Sequence, residues 1–137
     1  MVAMMIAAAL LQAPAAPDPC NAAGQVARAG CPAWRFIRSS EDGQGRGHVD
    51  PASARRDGNR VQVMTRTLLE SPMEGRVYSF NTLVELDCPA RTARAMHFAA
   101  FDAQGAIVLE SGPADQSLPA GTNSAFADMI RDFCPRR

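Results

Sequence analysis

The chain has no lysine. All 14 of its basic residues are arginine, 14 acidic residues balance them, and the formal net charge is zero. A chain with no basic excess lacks the electrostatic footprint of a general nucleic-acid binder. Histidine is scarce: His48 and His97 are the only two. His48 and Asp50 could share one strand face, but two side chains fall short of the three or four ligands of a zinc site. There is no Gly-x-Ser-x-Gly elbow and no glycine-rich phosphate loop. None of the four cysteines stands in a Cys-x-x-Cys pair, which argues against a zinc knuckle or a thioredoxin-type site. Glu85 and Asp87 could be read as an acid pair, but they fall on the polar face of a strand with Arg91 and Arg94 close by. No catalytic residue, metal or cofactor is assigned, and the expectation is a protein that is not an enzyme.

What is present begins with an uncharged, apolar start. Met1 to Gln12 carry no charge, and Ala13-Pro-Ala15 is a small-x-small site suited to a signal peptidase. The run is shorter than the twenty or so residues that span a bilayer. The expected division is a signal peptide at 1–16, an irregular Ala-, Gly- and Pro-rich lead-in at 17–32, and one domain at 33–137. Pro17-Asp-Pro19 is a poor context for lipidation of Cys20, so no membrane anchor is evident. Export to the periplasm, the cell surface or the medium follows.

The remaining residues read as strands and one late helix. Trp34 to Arg38 is a short strand with Trp34 and Phe36 on one side. A glycine-rich turn covers 41–47, His48 and Val49 are extended, and Pro51 to Ala54 reads as one helical turn. Asp57-Gly58-Asn59 is a reversal. Arg60 to Leu69 is a strand with Val61, Val63 and Thr65 on one face and Gln62, Met64 and Arg66 on the other. Residues 71–75 read as a loop. Tyr78 to Cys88 alternates almost perfectly, with Tyr78, Phe80, Val84, Leu86 and Cys88 on the apolar face. Thr92–Phe101 and Ile107–Glu110 form a hairpin across Asp102–Gly105. Thr122 or Ser124 caps a helix whose Phe126, Met129, Ile130, Phe133 and Cys134 make one apolar stripe.

The apolar strand face needs cover, and this helix is the only cover available. Packing the two brings Cys88 to Cys134. Cys20 and Cys31 then close a short local loop. The fold expected is α+β: a small antiparallel meander of about six strands, with a C-terminal helix on one face, stapled by disulfides. Disulfides form in oxidising compartments.

Two sets of residues are candidates for binding. Arg55, Arg56 and Arg60 form a basic turn suited to an acidic partner; an ordinary solvated loop is the competing reading. Trp34, Phe36 and Phe98 would line an apolar pocket between helix and sheet if the protein holds a small ligand.

Several stretches together resemble the surface-adhesin protein E family of Gram-negative bacteria. They are Trp34 opening the first strand, His48-Val-Asp50 before Pro51-Ala-Ser, and Gly58-Asn-Arg-Val-Gln-Val63. Asp87-Cys88-Pro-Ala-Arg91-Thr-Ala-Arg94, Phe101-Asp-Ala-Gln-Gly105, and Leu118-Pro119 before a helix ending in Cys134 complete the set. The resemblance implies an exported adhesion module of the envelope or surface, a host or envelope protein as partner, and a homodimer. The pair Cys20 and Cys31 is additional to that pattern. The alternative function is a periplasmic small-ligand or envelope-maintenance protein.

Overall fold

The computed structural model describes residues 16–135. The expected signal peptide lies outside them except for Ala16. Six strands form an antiparallel meander: β1 (Arg35–Ser39), β2 (Gly45–Asp57), β3 (Arg60–Met73), β4 (Val77–Asp87), β5 (Thr92–Phe101) and β6 (Ile107–Ser111). A two-residue β7 (Leu118–Pro119) pairs with the start of β5, and α1 (Ala125–Phe133) follows. The β5–β6 turn is built as its residues dictate. Asp102 Oδ1 accepts from the amides of Gln104 and Ala106, and Gly105 takes the positive φ of +87° that closes it.

Two local expectations are overturned. Pro51 to Ala54 is not a helical turn but a bulge within β2, between the pairings Asp50↔Met64 and Arg55↔Gln62. Ser53 makes the bulge possible: its hydroxyl accepts from the Met64 amide at 2.8 Å and donates to the Asp50 carbonyl. β1 pairs with β2 no further than Val49, so Pro51 stands on an open edge, where a missing N–H costs little. Residues 71–73 continue β3 rather than forming a loop, and the reversal is confined to residues 74–76, with Glu74 and Gly75 at positive φ.

The helix docks as its stripe requires. Met129 and Ile130 are buried against Val49, Val61, Val63, Val84, Leu86 and Ala93, with Phe126, Phe133 and Cys134 at the margin. Ser124 is the N-cap and accepts from the Ala127 amide at 3.1 Å. Two arginines of β1 reach over from the same sheet face. Arg38 donates twice to Asp128, at 2.8 and 3.3 Å, and to the Asn123 carbonyl. These bonds hold the Asp128 carboxyl below the ordinary carboxylate range, against the opposing effect of burial. Arg35 pairs with Asp132 and sits 5.8 Å from the Phe133 ring centre. Both disulfides form, Cys20–Cys31 and Cys88–Cys134.

The opposite sheet face is also covered, though its pattern is polar. Residues 18–25 lie across it, held by Asp18 N–H to Gly105 O at 3.1 Å and Ala23 N–H to Ala103 O at 3.0 Å. Beneath them Arg66 is fully buried, with Ser79, Asn81, Leu68, Ala99 and Phe101. Arg66 donates to the carbonyls of Ala22 and Gln25 and to Asn81 Oδ1, all within 3.0 Å. Asn21 Oδ1 accepts from Asn81 Nδ2 at 2.8 Å. The polar positions of β3 and β4 are thus the floor of a second, hydrogen-bonded core.

Two predictions arise from this layer. A Cβ at Gly105 would collide with the Asp18 carbonyl and press on the Ala22 amide, on a backbone at φ +87°. Gly105→Ala is expected to lower stability by about 2 kcal/mol and to loosen residues 18–25 first. Hydrogen exchange of the Asp18 and Ala23 amides checks this; protection equal to wild type would refute it.

His48 supplies the other. It is buried directly across the ladder from Arg66, with its Nδ1 3.1 Å from the Arg46 carbonyl and its ring edge-on to Phe36. Burial is the main force lowering its pKa; the carbonyls of Arg46 and Arg66 oppose it, and the two arginine charges add to it. The folded protein therefore binds fewer protons than the unfolded chain. Stability is full above the unfolded histidine value of about 6.5 and falls as the pH drops below it. Urea midpoints are expected to decrease from pH 7.5 to pH 5, and His48→Gln is expected to flatten that decline.

Candidate interaction surface

The two covers are short, and they sit at opposite ends of opposite faces. A nine-residue helix is about 14 Å long, whereas the 11 residues of β4 run about 36 Å. α1 therefore covers the Val84–Leu86 end of its face and leaves the Phe80 end bare. The register places Thr67, Phe80 and Ala100 side by side there, with Thr65, Thr82 and Phe98 in the next row. Phe80 and Phe98 stack at 5.3 Å between ring centres. With Met73, Val77, Val108 and Leu109 they line a groove of 450 Å³, with Glu74 and Arg76 at its hairpin end. Leu109 is 59% exposed and Met73 54%.

A smaller cavity of 240 Å³ lies on the other face, between the lead-in and the β5–β6 hairpin. Asp18, Met64, His97, Phe101, Ile107 and Glu110 are among its walls. His97 Nε2 is 2.7 Å from Glu110 Oε1. Among the described residues, no three His, Cys, Asp or Glu side chains converge as metal ligands.

The structure does not bring Trp34, Phe36 and Phe98 together. Phe36 pairs with His48 on the lead-in face and is 54% exposed, while Phe98 is on the helix face, beyond the helix. Trp34 precedes β1, where its amide donates to the Val26 carbonyl. Its indole Nε1 is buried without a partner. The space between helix and sheet is filled by aliphatic side chains. Arg55, Arg56 and Arg60 are all exposed at the β2–β3 reversal. Arg60 is engaged with Glu85 at 3.0 Å, whereas Arg55 and Arg56 donate to backbone carbonyls of their own turn.

Sequence reasoning missed the groove, the buried Arg66 and the Arg38–Asp128 clamp. The groove was legible from length alone, since Phe80 lies farther along β4 than so short a helix reaches. Nothing local marks Arg66 or Arg38, because their partners are 15 to 90 residues away.

These features define a class: a small α+β domain stapled by disulfides, built for an oxidising environment, with an open apolar groove beside the helix on one sheet face. The chain belongs to the surface-adhesin protein E family, whose model matches residues 34–135. The family and the disulfides mark it as an extracytoplasmic protein. It shares its fold with Haemophilus influenzae protein E. One crystal form of that protein is 16% identical and superposes with a TM-score of 0.52, over 90% of this chain and 96% of that one. A selenomethionine form is 17% identical at 0.50, over 90% and 95%. No curated protein sequence matches the chain. No described helix is long and apolar enough to cross a membrane.

Proposed function

We propose that this protein is a non-enzymatic interaction module exported to the cell envelope, working in the periplasm or at the surface, with an envelope or host protein as its partner. The observation that carries the reading is the groove around Phe80, Phe98 and Leu109. The two covers leave two quarters of the sheet open; the one around Arg60, Gln62 and Glu85 is polar, this one is apolar, and exposed apolar patches of this kind mark binding surfaces. The family supports the same reading. Arg55 and Arg56 form a second, salt-sensitive contact for an acidic partner.

The test is binding of the disulfide-intact protein to immobilised matrix proteins, envelope proteins and heparin across a salt series. Binding through the groove should persist at high salt, because apolar burial is not screened. Arg55→Ala with Arg56→Ala should remove only the salt-sensitive part. Absence of saturable binding to any of these surfaces would overturn the reading.

The groove's volume also suits a small apolar ligand, and it contains Phe98. This second reading, an envelope ligand carrier, predicts a bound amphiphile in native mass spectra of protein taken from its own envelope. A ligand-free spectrum there removes it.

A further inference from the structure

We propose that the outer edge of β6 accepts an extended peptide as an added strand, and that this peptide alternates apolar and basic side chains. The proposal rests on the interaction-module reading and names the partner's chemistry. β6 is the last strand of the sheet, and no described residue pairs with its outer edge. A row of unpaired backbone donors and acceptors at strand spacing is complementary to extended backbone above all else. The opposite edge, β1, carries Arg35 and Arg38, whereas the only charged residue of β6 is Glu110. Ile107 is 43% exposed and Leu109 59%, so apolar surface flanks this edge.

The two cavities set the pattern. A strand added to β6 lies about 4.8 Å from it, with side chains directed alternately to the two faces. On the helix face they enter the apolar groove beside Leu109, Phe98 and Phe80. On the other face they meet the cavity that Ile107 and Glu110 share with Asp18 and His97. No arginine among the described residues lines that cavity. Of its two carboxylates, Asp18 accepts from the Cys20 amide and Asn21 Nδ2, and Glu110, beside His97, stands 52% exposed. Apolar side chains therefore suit one face and cationic side chains the other.

The experiment uses the full folded protein, disulfides intact, and three end-capped peptides followed by fluorescence anisotropy. One alternates valine and lysine, one is its scrambled isomer, and one alternates valine and glutamate. The valine–lysine peptide should bind about tenfold more tightly than either control. Leu109→Asp and Glu110→Arg should each weaken it by about tenfold, with unchanged circular dichroism. Glu110→Arg should instead gain affinity for the valine–glutamate peptide, a reversal that a purely structural effect would not produce. Equal binding of the scrambled isomer, or no binding, overturns the proposal. So does light scattering that shows a dimer abolished by Leu109→Asp, because the edge then belongs to a second copy. If these peptides fail while matrix or envelope proteins still bind, the strand-addition idea falls alone. If those proteins fail too, the interaction-module reading falls with it.

Discussion

Replacing Cys88 and Cys134 together by serine is expected to lower the stability of the folded protein by about 4 kcal/mol. The bond closes a loop of 46 residues in sequence separation, and cross-linking a loop of that length removes about this much chain entropy from the unfolded state. For a domain of this size the loss corresponds to a fall in melting temperature of about 15 °C. The expected pattern is selective. α1 has only nine residues, too few for an isolated helix to persist in water. Without the bond it should fray first, and with it Met129 and Ile130 leave the core. The local Cys20–Cys31 bond closes a separation of only 11 residues, so the matching double substitution should cost less. Melting curves of the two double variants, side by side, check the order; equal losses would contradict it.

Replacing Arg66 by methionine is expected to cost about 3 kcal/mol, although the substitution removes a buried charge. Burial lowers the Arg66 pKa to about 10, a sign that the charged form is held at some cost. That relief is outweighed by what is left behind: the carbonyls of Ala22 and Gln25 and the Asn81 Oδ1 all lose their donor. An unmet buried acceptor costs roughly 1–3 kcal/mol. The lead-in can recover water for its carbonyls only by lifting off the sheet. The expected signature is therefore rapid proteolysis within residues 18–30 alongside the loss of stability measured in urea. Arg66→Lys keeps one charge-assisted donor at best and should fall between the two. A stable Arg66→Met with a protected lead-in would show that the apolar contacts of Leu68, Ala99 and Phe101 hold that face unaided.

The two substitutions probe two different cores. One is apolar, lies under α1 and is closed covalently by Cys88–Cys134. The other is polar, lies under the lead-in and is closed by hydrogen bonds to one guanidinium. Each cover occupies one end of its face. The groove at Phe80 exists because α1 ends before it reaches it, and the edge of β6 is free because β6 is the last strand of the sheet.

Much of this was set by local pattern. The alternation from Tyr78 to Cys88, the stripe from Phe126 to Cys134, and the turns at Gly58 and Gly105 determine the strands, the helix, and the pairing of Cys88 with Cys134. Side-chain periodicity of two and 3.6 residues is written in nearest neighbours, so one chain suffices to read it. The bulge at Pro51–Ala54 escaped that reading, because it depends on Ser53 bonding to a strand eleven residues away. The burial of Arg66, Asn81 and Ser79 escaped it as well. A polar residue on an alternating strand looks solvated until another segment supplies its partners, and here those lie 41 to 60 residues earlier. Whether a polar face meets water or a hydrogen-bonded cover is decided only by tertiary packing, since the free energy of burial belongs to the pair and not to either residue alone.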